Sequence, residues 1–247
     1  PNTLVGGKLA YDENWFKIYL WDFLYYQEHL PHTKQLPEGF DLRHLTALYY
    51  GLTTWVDDTV GRLMANLEAH GLAEDTIVVF ASDHGDNLGS HHAFNKGLLI
   101  EESIRVPLIF WGGLAPQANT AQVAQLIDIM PTLLEQCGAE VPDTVQGRAL
   151  GPVLRGERET LEENGAFIET STGAIGLRTP DHLYGMQLEK DLRTISNDGK
   201  CLYDLAADPY EQRNLAGGTD TGLEADFAQQ LEQWNAQTPW LGEQNAG

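Results

Sequence analysis

One stretch concentrates the residue types that could do chemistry: Thr76 to Trp111, TIVVFASDHGDNLGSHHAFNKGLLIEESIRVPLIFW. The adjacent Asp83 and His84 offer a hard carboxylate oxygen and an imidazole nitrogen, donors that together suit a divalent cation. The alternative is local, with Asp83 capping a turn and His84 hydrogen-bonded to nearby backbone. Lys96, in Asn95-Lys96-Gly97, could meet an anionic group as a point charge, or be a solvated loop lysine. His91 and His92 could be general acids or metal ligands, although loop histidines more often hydrogen-bond structurally. Arg105 is expected to pair with Glu101 or Glu102 rather than with a substrate.

These side chains need elements to hold them. From Leu42 to Leu67 apolar residues recur at spacings of three and four, which predicts a long amphipathic helix with Asp41 as its N-cap and a stop at His70-Gly71. Thr76–Ala81 and Val106–Trp111 read as strands buried on both faces, too apolar to alternate. Val123–Gln136 reads as a further helix interrupted by Pro131, with Gly138 as its stop. This helix, strand, loop, strand rhythm belongs to an α/β domain, and the end of a buried strand, where Asp83 and His84 fall, is where such sheets hold ligands. Gly151–Gly165 reads as a connector. After it, Ala166–Glu169, Ala174–Arg178, a possible edge strand at Leu183–Leu188 and Cys201–Asp204 predict a small antiparallel sheet, closed by a helix near Gly222–Trp234. The aromatic-rich Pro1–Lys34 shows no clean period and reads as an irregular packed segment.

With 247 residues and 42% apolar side chains, the chain can bury a core as one large or two smaller domains. A formal charge of −21, from 15 basic and 36 acidic residues, argues against a nucleic-acid surface, because phosphate binding needs Lys/Arg clusters. The two cysteines, Cys137 and Cys201, lack ligand spacing and predict no disulfide framework. No apolar run reaches the roughly 18 residues that cross a bilayer, so no membrane partner is expected. The compartment stays open, with the cytoplasm marginally favoured.

The string SDHGDNLGSHHAFNKGLLIEESIRVPLIFWGG resembles the C-terminal signature region of the sulfatase family, in the form D-H/N-G, L-G-x-H, a lysine, then E-E-S-x-R-V-P-L. Upstream, LYYGLTTWVDDTVGRLMANLEAHGLAEDTIVVFASDHG resembles the helix and strand leading into that family's metal site. Downstream, QLIDIMPTLLEQCGAEVP is similar to its D-I-x-P-T-L-L helix, and LYDLAADPYEQRNLAG to its L-Y-D-L-x-x-D-P-x-E-x-x-N-L-A ending. The resemblance covers roughly Leu36 to Gly217.

It implies a member of the alkaline phosphatase superfamily: the C-terminal half of a sandwich with a mostly parallel central sheet flanked by helices, here 1–157, plus a small antiparallel sheet with a helix, 158–247. By the same resemblance Asp83 and His84 ligate one divalent ion, calcium ahead of manganese or zinc, and Lys96 contacts the anion of a small sulfate or phosphonate ester. The implied reaction is metal-dependent hydrolysis of a sulfuric ester. The His form of the pair leans toward the phosphonate monoester hydrolase branch, and a non-catalytic anion- or partner-binding relative is the further alternative.

The departures are specific. The family's formylglycine nucleophile comes from Cys or Ser in C/S-x-P-S-R, and neither Cys137 nor Cys201 has that context. Asp57-Asp58 lies on the long helix and reads as its solvated face, not as the family's acidic metal-ligand pair. His32 is the sole candidate for the histidine that protonates the leaving group. The chain is therefore expected to be the C-terminal part of a longer or split hydrolase, inactive alone, completed by an N-terminal half or a homo-oligomer. An unpaired sheet edge would make it behave poorly in solution.

Overall fold

The helix expected from Leu42 is the longest element in the computed structural model, which describes residues 42–93, 95–112, 120–170, 172–196, 198–218 and 221–237. Pro1–Lys34, His32 and Asp41 lie outside the described residues. The described residues form two compact units, one reaching Val78 and including His84–Lys96, the other comprising Val79–Asp83 and the chain from Gly97 onward.

Helix α1 (Leu42–Ala69) carries β-branched threonines in its interior, which lowers its intrinsic propensity. Thr46, Thr53, Thr54 and Thr59 donate their hydroxyls to carbonyls four residues back, at 2.8–3.1 Å, which satisfies the hydroxyls without adding to the helix's stability. The helix ends where glycine was expected to end it. Gly71 takes φ +67°, Leu72 N–H reaches Leu67 O at 2.9 Å and Gly71 N–H reaches Glu68 O at 3.0 Å, a Schellman stop. Asp57 is exposed and Asp58 half-buried on this helix.

A single 3₁₀ turn (Ala73–Asp75) leads to β1 (Val78–Ala81), which pairs with β2 (Leu108–Trp111); α2 (Glu101–Ile104) lies between them in sequence. The expectation that both strands are buried on two faces is corrected. Among the described residues this sheet has two strands, so alternate side chains of β2 stay uncovered, with Ile109 55% and Trp111 40% exposed.

Helix α3 (Ile129–Gln136) starts later than its apolar pattern suggested. Gln125 and Asp128 form a reciprocal capping box over the 3₁₀ turn Leu126–Asp128, and this sets the start. Pro131 therefore falls in the first turn, where its missing N–H costs nothing, and does not interrupt the helix. Gly151–Leu154, within the stretch read as a connector, is a short helix, α4, opened by Pro152.

Strands β3 (Ala166–Glu169), β4 (Ala174–Arg178), β5 (His182–Gln187) and β6 (Cys201–Asp204) form an antiparallel meander in that order. β5 is an inner strand, not an edge, because both of its sides are hydrogen-bonded, to β4 and β6. One face carries Ile175, Leu177, Tyr184, Met186 and Leu202, packed against Phe227 and Leu231 of α5 (Thr221–Gln237). Phe167 stacks on Trp234 with ring centres 5.2 Å apart. The other face holds Leu183 and Leu205 with Leu99, which enters from the loop that follows Lys96.

Candidate functional site

Asp83 and His84 come directly after β1, the first exposed and the second half-buried. His84 Nδ1 lies 2.8 Å from Gly85 O. A carbonyl can only accept, so Nδ1 carries a proton, and in the neutral imidazole the lone pair is on Nε2. That tautomer, fixed by a backbone carbonyl, is the arrangement typical of a metal-binding histidine. With the Asp83 carboxylate beside it in the chain, the donor chemistry fits a divalent cation that accepts oxygen and nitrogen.

The loop that follows is cross-tied by its own backbone. Asn87 N–H reaches Asn95 O at 2.8 Å, Gly89 N–H reaches Ala93 O at 2.8 Å, and Ser90 N–H reaches Asn87 O at 2.7 Å. To make these ties Leu88, His91, His92 and Asn95 take φ of +44°, +52°, +58° and +66°, each a left-handed conformation costing on the order of 1 kcal/mol. Strain of this kind persists where surrounding contacts over-determine the backbone, and it clusters at functional sites. His91 and His92 belong to its one-turn 3₁₀ segment, Ser90–His92, with His91 half-buried and His92 exposed.

Two polar residues in this loop drew no notice in the sequence. Asp86 Oδ1 accepts Leu88 N–H at 2.8 Å, an Asx turn. Burial pushes the Asp86 carboxyl above the usual carboxylate range, while the N–H groups of Leu88 and Asn95 and the cationic forms of His84 and Lys96 pull it back. Asn87 is 0% exposed, and neither end of its amide has a hydrogen-bond partner among the described residues. Only the burial pattern of a folded loop distinguishes these two from solvated turn residues.

Lys96 is exposed at the end of the loop, near enough to Asp86 to act on its carboxyl. The peptide after it is held firmly. Gly97 N–H reaches Ser103 Oγ at 3.1 Å, and Gly97 O accepts from Thr172 Oγ1 at 2.6 Å. Next, Glu101 engages Arg178 through both carboxylate oxygens, at 3.1 and 3.0 Å. The expected Arg105–Glu101 pair exists at 3.7 Å, but with Arg105 largely exposed it is the weaker partner. Glu101 N–H donates to Glu211 Oε2 at 2.9 Å, across 110 residues. Glu211 is 3% exposed and pushed up to about 7, first by burial and then by the Glu101, Glu102 and Asp208 carboxylates, against the one N–H that stabilises its charge.

Helix α1, the strand pair β1–β2 and the C-terminal meander give the chain an α/β fold of the alkaline phosphatase type. The sequence profile described as Sulfatase matches residues 20–139, and that described as N-sulphoglucosamine sulphohydrolase, C-terminal, matches residues 89–237. The chain belongs to the sulfatase family of that superfamily. It is 33% identical over 217 residues to the multifunctional alkaline phosphatase superfamily protein PehA of Trinickia caryophylli, covering 81% of this chain and 41% of that protein. It is 31% identical over 195 residues to an arylsulfatase of Clostridium perfringens, covering 77% and 40%. The phosphonate monoester hydrolase of Agrobacterium radiobacter shares the fold with a TM-score of 0.65 and 28% identity, covering 80% and 42%. The chain thus spans about two fifths of the length of these relatives.

Proposed function

We propose that this chain carries the metal- and anion-binding portion of a sulfuric ester hydrolase. Asp83 and His84 hold one divalent ion, calcium ahead of manganese or zinc, and Lys96 neutralises the oxygens of the ester anion. The observation that carries this reading is the 2.8 Å contact between His84 Nδ1 and Gly85 O: a backbone carbonyl on Nδ1 makes Nε2 the ring's ligand atom, with Asp83 adjacent in the chain. A bound divalent ion would supply Lewis-acid stabilisation to the charge that develops on the attacked centre. The chain's own part is to orient the imidazole through Gly85 and to supply the positive charge of Lys96. An in-line attack on a tetrahedral anion needs that neutralisation before anything else.

No C/S-x-P-S-R occurs in these 247 residues, so on this reading the nucleophile is supplied from outside them. Residues 158–247 act as a supporting subdomain. A phosphonate or phosphate diester is the second candidate substrate, favoured by the likeness to the phosphonate monoester hydrolase of A. radiobacter and to PehA. The test is calorimetric titration of Ca²⁺ and Mn²⁺ into the chain. Asp83→Ala and His84→Ala should each weaken binding by about 100-fold or more, beyond what loss of an outer-shell partner costs. Equal binding by wild type and both variants would remove the proposed metal site.

A further inference from the structure

We propose that Thr172, together with Ser103, positions Lys96. The inference rests on the reading of Lys96 as the anion contact given above, and deepens it. The peptide bond between Lys96 and Gly97 contains the Lys96 carbonyl and the Gly97 N–H in one plane, so the 3.1 Å bond from Gly97 N–H to Ser103 Oγ fixes the plane in which Lys96 Cα lies. Ser103 is 4% exposed, so little water competes for its hydroxyl oxygen. The next plane is fixed by Thr172, whose hydroxyl donates to Gly97 O at 2.6 Å. Gly97 takes φ +97°, a conformation that glycine alone enters cheaply, and it is what turns the two planes toward separate partners.

Thr172 is not needed by its own turn. Gly173 N–H closes that turn on Thr170 O at 3.1 Å, and Leu188 N–H reaches Gly173 O at 2.7 Å. The Thr172 hydroxyl instead reaches 75 positions back along the sequence. It is itself held, because Gln187 Nε2 donates to Thr172 O at 2.9 Å and Thr170 Oγ1 lies 3.0 Å from Thr172 Oγ1. Thr170 is anchored in turn, its hydroxyl donating to Ala174 O at 3.1 Å and accepting Ala174 N–H at 3.0 Å. Two residues beyond Gly97, Leu99 is buried on the same sheet, over Gly176 and Gly185. A long lysine gains reach at the cost of rotamer freedom, and fixing the backbone at its base is how the chain limits the volume its ammonium samples.

The experiment titrates inorganic sulfate into the full chain, reading the Lys96 side-chain and Gly97 amide signals by NMR. Thr172→Val, an exposed and nearly isosteric change, should raise the sulfate dissociation constant about 3- to 10-fold and shift the Gly97 amide, and Thr172→Ser should restore both. Lys96→Ala separates the two readings. If it abolishes sulfate binding while Thr172→Val changes nothing, the positioning role is wrong and the anion contact stands. If sulfate binds equally well to Lys96→Ala, the anion contact is wrong and the positioning role falls with it.

Discussion

Asp128 and Glu211 are both enclosed carboxyl groups, yet their surroundings are opposite. Asp128, 0% exposed, accepts Arg148 N–H at 2.7 Å on one oxygen, and Gln125 N–H and Arg148 Nη2 at 2.9 Å each on the other. Arg148 spends further donors on the carbonyls of Glu163 and Val123, at 2.6 and 3.1 Å. The carboxylate faces a guanidinium, and both of its oxygens accept hydrogen bonds. Glu211 has one N–H on Oε2, no hydrogen-bond partner for Oε1 among the described residues, and three further carboxyl groups, Glu101, Glu102 and Asp208, acting on it. The first region is a closed knot that specifies structure. In the second, burial and like charge hold a carboxyl toward its neutral form.

The contrast is broken most severely from the Asp128 side. Asp128→Ala leaves Arg148, only 16% exposed, without its counter-charge, and should cost about 3–5 kcal/mol in urea unfolding. Glu211 should reveal itself through pH. Its carboxyl rises from the ordinary 4.5 to about 7 in the folded chain. Below 4.5 folded and unfolded chains both bind the proton; between 4.5 and 7 only the folded chain keeps it, so stability falls as pH rises through that window. The fall should reach roughly 3 kcal/mol at 1.36 kcal/mol per pKa unit, and Glu211→Gln should flatten it. A wild-type stability profile flat across that window would refute the assignment. The smallest effect expected is from Gly185→Ala, whose Cβ would collide with Leu99 Cδ2 and stand 2.9 Å from Cys201 Sγ. Overpacking of that kind should lower the urea midpoint by the equivalent of about 1–3 kcal/mol.

Much of the fold was legible because local rules agreed with it. The three-and-four spacing and Gly71 located α1 and its end, and the β-branched runs located β1, β2 and the meander to within a few residues. Asp83, His84 and Lys96 stood out because they share one loop in register with a family signature. What escaped notice depends on contacts distant in sequence. Nothing near Glu211 announces that it meets Glu101 across 110 residues, and nothing near Thr172 announces Gly97. The inner place of β5 is set by its pairing with β6, which the composition of His182–Gln187 does not encode. Asp128 looked like one helical residue among many until Arg148, 20 positions on, closed over it.

The glycine pair beneath Leu99 makes that leucine a gauge of strand alignment. Gly176 faces Gly185 in the β4–β5 register, and a Cβ at Gly176 would lie 2.7 Å from Leu99 Cδ1. A two-residue slip would replace Gly185 by Leu183 or Gln187 on that face, and a one-residue slip would turn Tyr184 or Met186 onto it. In any such mispaired hairpin the dent is filled and Leu99 has nowhere to sit. Burial of Leu99 is thereby made conditional on correct pairing of two strands that come some eighty residues later in the chain.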